Sequence, residues 1–356
     1  MKKFMPMIIN KVFLCLGFEC NLNCIYCIQK ESKPQTGDKK IEINPDIYPF
    51  IKGLLKNSPS GHQIRVIFYG GEPLLYLDKI KTIVKKLKNK KIHFQIITNG
   101  KLLNEETIKF LNKNKITVQL SWDGSISQTA RGYDVVADKK EALFQIKNMA
   151  LTAVLSKNSR LKDVVEQMDN ADERYFKTTG RHLHNSIFAL NDMESDFSLS
   201  RDFNFELLAS DVKDFIEEFF IKKLHPSFME FFYSILQSIN FFYKKHNGNY
   251  IAAMPYCGEG YSALSLSIDG SILRCHNRNE KTGDIYTPFW VYLNNVLSRQ
   301  IICKKTDCSV YGICRGGCKL QTERQLENGT YCDFQKAMYE PILNFTQSIG
   351  QGGGKC

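Results

Sequence analysis

Apolar, β-branched runs alternate along the first half of the chain with segments whose apolar positions recur every three to four residues. The runs at Lys11–Phe18, Gln63–Tyr69, His93–Thr98, Ile116–Trp122, Leu151–Leu155 and Ser186–Leu190 predict strands. The segments Asp46–Leu55, Asp78–Leu87, Glu105–Asn112 and Lys140–Met149 predict helices. Strands separated by single helices imply parallel βαβ units with right-handed crossovers. About six such strands suit an α/β architecture built as a partial (β/α)6 TIM-like barrel rather than a closed eight-stranded one. The first four strands each run into a polar or glycine-rich turn, so the unusual residues gather on one rim, where parallel barrels carry their chemistry.

The pattern changes after residue 190. Phe205–Lys223 and Ser227–Lys245 read as long amphipathic helices. A loop-rich region follows, with one hairpin signal: Ala263–Ile268, the turn Asp269-Gly270, and Ser271–Cys275. The expected organisation is a barrel over 1–200, bridging helices over 201–252, a small loop-rich C-terminal domain over 253–348 and a flexible glycine-rich tail over 349–356.

Composition narrows the class. The chain has 356 residues, 43% hydrophobic and 24% charged, ordinary for a globular protein. No apolar run is long enough to span a bilayer, so no membrane association is expected. The N-terminal lysines and apolar residues are interrupted by Asn10 and Lys11 and lack a small-residue cleavage site, which argues against a signal peptide. The net charge of +11 fits an anionic cofactor or an acidic peptide as well as nucleic acid, and the lysine runs read as a solvated face.

The twelve cysteines change the picture more. They form an N-terminal group ending at Cys27 and a second group starting at Cys257, with none between. That grouping in a long chain reads as metal binding in a reducing, cytoplasmic compartment. Cys20, Cys24 and Cys27, spaced by three and two residues, can hold three corners of a [4Fe–4S] cluster and leave one iron open. A structural zinc site is the alternative at this point. Cys15 reads as a core residue and Cys356 as incidental.

C-x3-C-x-aromatic-C after a first strand, with Tyr26 at the aromatic position, resembles the signature of the radical S-adenosylmethionine superfamily. The resemblance continues in order: Gly70-Gly71-Glu72-Pro73, then Thr98-Asn99-Gly100, then Ser121-Trp122-Asp123-Gly124, where Trp replaces the family's Leu. It implies that Tyr26, Gly70, Gly71, Glu72, Asn99, Ser121, Asp123 and Arg131 contact S-adenosylmethionine. Glu72 would take the amino group, and Arg131 the carboxylate through its bidentate fork.

The second group resembles the SPASM extension. Cys257, Gly270 and Cys275 follow its spacing, as do Cys308, Cys314 and Cys318 with Gly316-Gly317. Cys303 departs from it, four residues before Cys308 instead of two. The resemblance implies one or two auxiliary [4Fe–4S] clusters, the first on Cys257, Cys275 and Cys318, the second on Cys303, Cys308, Cys314 and Cys332. Glu259, His276, Cys356, a substrate thiolate or water could complete the first.

Such a protein would be an enzyme. It would cleave S-adenosylmethionine reductively to a 5′-deoxyadenosyl radical and take hydrogen from a precursor peptide or protein, with flavodoxin or ferredoxin as electron donor. The favoured reading is modification of a ribosomally made peptide by a crosslink, a thioether or epimerisation. With about ten residues before the first strand, no fused leader-binding domain is expected. The alternative within the family is an anaerobic sulfatase-maturating enzyme. From another class, a zinc protein binding nucleic acid would explain cysteines and charge but not the ordered strand-end motifs. No motif selects a catalytic base.

Overall fold

The computed structural model describes residues 9–32, 41–56, 59, 61–188, 202–222, 258–259, 262–288, 291, 307–314, 317–318 and 330–352. Six strands build the barrel: β1 (Lys11–Cys15), β2 (Ile64–Tyr69), β3 (Ile92–Thr98), β4 (Thr117–Ser121), β5 (Met149–Val154) and β6 (His184–Phe188). They pair in parallel in chain order, in register from Lys11 opposite Arg65 through Val154 opposite Phe188. The α/β partial barrel read from the sequence is therefore the fold.

Alternation along each strand sorts the two faces. Val12, Leu14, Val66, Phe68, Val118, Leu120, Leu151 and Ala153 join the core under the helices. Phe13, Tyr69, Gln119 and Thr152 fall on the opposite, lumenal parity. There Gln95 Nε2 donates to Gln119 Oε1, and Gln119 Nε2 donates to Thr152 Oγ1 at 2.6 Å, a polar ladder across three strands.

The helices cover the outer face: α1 (Ile47–Lys56), α2 (Leu77–Leu87), α3 (Glu105–Lys113), the single-turn α4 (Ser127–Arg131), α5 (Val135–Leu143) and α6 (Leu161–Thr179). Asn104 caps α3 by accepting from the Thr107 amide at 2.9 Å. The predicted helix at Lys140–Met149 is displaced. α5 starts earlier because Asp134 caps the amides of Val136 and Ala137. It ends at Leu143 because the Asn112 side chain clamps Gln145 O and the Lys147 amide, both at 2.8 Å, into a turn. Met149 accordingly opens β5. The predicted first strand stops at Cys15, since the chain turns at Gly17, whose φ is 154°. The 19-residue α6, which the sequence reading did not assign, buries Leu161, Val164, Val165, Met168 and Tyr175 against the sheet.

The predicted bridging helix is α7 (Phe205–Lys222); its predicted partner at Ser227–Lys245 lies outside the described residues. The predicted hairpin forms as β7 (Ala263–Ser267) and β8 (Ser271–Leu273), joined by β9 (Lys281–Asp284). β7 pairs in parallel with β1, so these strands extend the barrel sheet to nine in the order β6-β5-β4-β3-β2-β1-β7-β8-β9. A short helix α8 (Tyr311–Cys314) and a long α9 (Thr330–Gly352) complete the described chain. α9 packs on α7, with Phe334 against Phe203 at a ring separation of 5.8 Å. α9 runs into the tail as far as Gly352, and residues 353–356 lie outside the described part. Among the described residues no helix is long and apolar enough to cross a membrane.

Candidate active site at the barrel rim

The loop from Gly17 to Ser32 carries Cys20, Cys24 and Cys27 across the ends of β1 and β2. It is held by backbone: the Gly71 amide donates to Gly17 O at 3.1 Å and the Glu72 amide to Glu19 O at 2.7 Å. A Cβ at Gly70 would stand 2.1 Å from Gly17 O, and one at Gly71 2.0 Å from Glu19 O. The two glycines are thus required for the close approach of two protein segments.

Glu72 is 1% exposed. Its Oε1 accepts from Leu74 N at 2.9 Å and Thr98 Oγ1 at 2.7 Å, and its Oε2 accepts from Asn99 N at 2.9 Å. The carboxylate therefore ties the end of β2 to the end of β3. Burial pushes its pKa above the ordinary value, against these three bonds. Asn99 reaches the loop: its Nδ2 donates to Asn21 Oδ1 at 2.8 Å and lies 3.9 Å from Cys20 Sγ.

Asp123 and Arg131 close on each other. Arg131 Nε donates to Asp123 Oδ2 and its second terminal nitrogen to Oδ1, both at 2.8 Å, with the side chains 8% and 0% exposed. Asp123 Oδ1 also accepts from Val154 N at 2.8 Å, and Oδ2 from the Tyr26 hydroxyl. The guanidinium sits 5.4 Å from the Tyr26 ring centroid. The turn of α4, ended by the left-handed Gly132, folds the arginine back onto the aspartate. Both groups, read from the sequence as cofactor contacts, are here bonded to the protein and brace Tyr26 inside the cysteine loop. Ser121 is half-buried at the end of β4, opposite Thr152.

The three thiols are half-buried on one loop, the Cys27 amide donating to Cys24 O at 3.2 Å. Burial pushes the Cys24 thiol up to about 11, Arg131 pulls it down, and Cys27 and Cys20 push it up further. The three are thus electrostatic neighbours. Among the described residues no three His, Cys, Asp or Glu side chains converge on a single ion. A cubane is larger than an ion and takes its thiolates at separate corners. This donor set, three cysteines around one partly open loop, fits such a cluster.

Two strands away the C-terminal loop meets this one. His276 stacks on Phe13 with centroids 4.0 Å apart and lies edge-on to Tyr69 at 4.8 Å. The Tyr69 hydroxyl donates to Asn277 Oδ1 at 2.7 Å, and Gln29 Nε2 donates to His276 O at 3.2 Å. Burial lowers the His276 pKa to about 4, so its imidazole is neutral. Burial raises that of Tyr69, as do Cys27, Cys15 and Cys275 around it. The sequence reading missed Tyr69, Gln29, Asn21 and Asn277. Only Tyr69 had a signal: the two-residue period from Ile67 puts it on the lumenal face.

Of the second cysteine group, Cys257, Cys303 and Cys356 lie outside the described residues. Cys275 follows β8, and its Sγ accepts from the Asn277 amide at 3.4 Å. Cys308 O accepts from the Tyr311 amide at the start of α8, and Cys314 ends that helix. The Cys318 amide donates to the Tyr331 hydroxyl at 2.8 Å, next to Cys332 on α9. Glu259 is 4% exposed and held by the amide and hydroxyl of Ser265 at 2.9 and 2.8 Å. Cys15 is buried with Phe18 and Leu273.

The radical SAM superfamily model matches residues 15–131, the segment that holds the cysteine loop, the glycine turn and Arg131. Among curated proteins, a cysteine-type anaerobic sulfatase-maturating enzyme of Clostridium perfringens is 36% identical over 113 residues, 30% of either chain. A protein of the same name from Clostridium novyi is 24% identical over 377 residues, covering 91% of this chain and 92% of its own. The radical SAM cyclopropyl synthase TigE of Paramaledivibacter caminithermalis is 28% identical over 174 residues, covering 42% of this chain and 36% of its own. The chain thus aligns with about a third of the length of the first curated relatives it matches. Among solved structures, native anSMEcpe with bound AdoMet superposes with a TM-score of 0.63 at 20% identity, over 95% of this chain and all of that one. At that identity the likeness concerns the fold. Together with the loop geometry, these matches show that the chain carries, over residues 15–131, a domain of the radical S-adenosylmethionine superfamily.

Proposed function

We propose that this protein is a radical S-adenosylmethionine enzyme of the SPASM type that takes hydrogen from a residue of a peptide and so modifies a ribosomally made precursor. The observation that carries the reading is the docking of the Cys20–Cys27 loop on the Gly70-Gly71 turn within the matched domain. Cys20, Cys24 and Cys27 would hold the [4Fe–4S] cluster. When bound, the cluster and S-adenosylmethionine supply a 5′-deoxyadenosyl radical by one-electron cleavage of the carbon–sulfur bond.

The chain's own residues do the positioning. Gly70 and Gly71 hold the loop at its distance from β2. The Asp123–Arg131 pair keeps Tyr26 against the loop's inner side. Asn99 and Ser121 stand at the rim for the polar groups of the cofactor. Phe13, Tyr69 and neutral His276 form an aromatic wall on the lumenal face, suited to excluding water from a reacting carbon. Cys275, Cys308, Cys314, Cys318 and Cys332, with Cys257 and Cys303, would hold auxiliary clusters.

A second reading, maturation of a sulfatase by conversion of a cysteine to formylglycine, is supported by the likeness to the sulfatase-maturating enzymes of Clostridium perfringens and Clostridium novyi. The test uses peptides deuterated at candidate α and β carbons, with the reconstituted, reduced enzyme. Deuterium in 5′-deoxyadenosine together with a crosslinked or epimerised product supports the first reading. Formylglycine in a sulfatase-type peptide selects the second. Transfer to no peptide refutes both.

A further inference from the structure

A cleft of about 250 Å³ opens on the outer face of the barrel, between α5 and α6 and away from the cysteine loop. Its floor is Trp122, Met149 and Leu151, and its walls are Leu143, Phe144 and Ala171. Lys140 on α5 and Arg174 on α6 stand exposed on its two sides, and neither forms an ion pair among the described residues. The acids beside Arg174 are engaged, Glu173 with Lys177 at 2.7 Å and Asp172 with His182 at 2.7 Å. The site therefore offers an apolar socket with one exposed cation on each flank, Arg174 standing beside Glu173 and within its electrostatic reach.

The floor is tied to the rim. Trp122 stands where the family's motif has a leucine, and its Nε1 donates to Asp134 Oδ1 at 3.0 Å, the atom that also caps α5. Its backbone amide donates to Thr152 O at 2.8 Å. The next residue is Asp123, which grips Arg131 and Tyr26. A group pressed on the indole thus pushes on the support of the cysteine loop one peptide bond away.

We propose that this cleft is an exosite for a recognition segment of the peptide substrate, in which one or two large apolar side chains are flanked by carboxylates. The inference rests on the peptide-modifying reading and names the chemistry of that partner. The cleft is half-open, so it seats side chains while the peptide backbone stays in solvent. Lys140 and Arg174, the charged residues that line the cleft, select acidic neighbours. Occupancy would steady Trp122 and through it the Asp123 brace, coupling recognition to the rim.

The test titrates anaerobically reconstituted full-length protein into a fluorescently labelled peptide whose Leu-Phe-Leu core carries two glutamates on each side. Anisotropy reads binding, and hydrogen exchange locates it. The expected result is saturable binding with protection in residues 135–144 and 167–174. Affinity should fall about tenfold in the Lys140→Glu/Arg174→Glu protein. It should also be lost in Ala171→Phe, which fills the cleft, while the melting temperature is retained. Equal binding of the same core flanked by lysines overturns the proposal. So does protection elsewhere, or displacement of the peptide by octanoate alone. Binding is read without turnover, so the two failures are distinguishable: protection here without modification of any peptide refutes the reaction and leaves only a peptide-binding cleft, whereas modification without protection here refutes the exosite alone.

Discussion

The Asp123–Arg131 pair gives the sharpest test of how the rim is built. Asp123 receives two bonds from Arg131, one from Val154 N and one from the Tyr26 hydroxyl, and its side chain is fully buried. Asp123→Ala leaves a buried guanidinium without its partner, which costs about 3–5 kcal/mol. It also strands the Val154 amide, another ~1–3 kcal/mol. These losses overlap, so a total of about 5 kcal/mol is expected, a large part of the ~5–15 kcal/mol that holds a domain together. Asp123→Asn keeps an acceptor for Val154 but removes the charge, and should lose about 2–3 kcal/mol. Arg131→Gln leaves the carboxylate buried without its counter-charge, held only by Val154 N and the Tyr26 hydroxyl, with a similar loss. The double variant Asp123→Asn/Arg131→Gln has no stranded charge and should be nearly as stable as either single. The cycle would then show a coupling of about 2 kcal/mol or more. Urea unfolding of cluster-free protein under reducing conditions, followed by circular dichroism, measures all four. Additive losses, with coupling below about 0.5 kcal/mol, would show that the pair does not form and that Arg131 is free for a ligand.

Other outcomes follow from the same geometry. Gly71→Ala places a methyl group against Glu19 O and should prevent the loop from docking, so reconstituted protein would lose the iron of the first site; full iron content would contradict the docking. Cys15→Ala removes a buried thiol packed with Phe18 and Leu273 and should leave iron content and the cluster's spectrum unchanged, whereas loss of iron would make Cys15 a ligand. Asp269, in the β7–β8 turn, is partly buried, which raises its pKa, but bonds from Ser271, Ser267 and Lys281 outweigh this and lower it below 3.8. Its contribution to stability is therefore present above that value and is lost as pH falls through the depressed one. Asp269→Asn should flatten the acid limb of a stability–pH profile, and an unchanged limb would contradict the assignment.

Much of this architecture was legible in the chain because parallel strands announce themselves twice, by β-branched runs and by the turns that end them. The ends of β2, β3 and β4 fell at Tyr69, Thr98 and Ser121, within a residue of the reading, since Gly-Gly, Asn-Gly and Asp-Gly mark them. α6 carried apolar residues at Leu161, Val164, Val165 and Met168, spaced as a buried helix face, but its many charges hid the period. The boundary of α5 depended on Asn112, a side chain from another helix that clamps the following turn. No local pattern holds such information. The site shows the same division. Cysteine spacing and motif order placed the loop and the turns on one rim. They could not show that Glu72, Asp123 and Arg131 bond to the protein, because a motif gives a residue's place and not its partner. His276 and Tyr69 lie 207 residues apart in sequence and meet only because β7 pairs with β1.

The most direct test of the account is cleavage of S-adenosylmethionine by the anaerobically reconstituted, chemically reduced full-length protein, beside a Cys20→Ala/Cys24→Ala/Cys27→Ala protein with every other cysteine intact. The account predicts methionine and 5′-deoxyadenosine in equal amounts from the first and none from the second, although the second keeps iron at its remaining cysteines. No 5′-deoxyadenosine from the native chain with a deuterated substrate peptide present, or equal yields from both proteins, would contradict it.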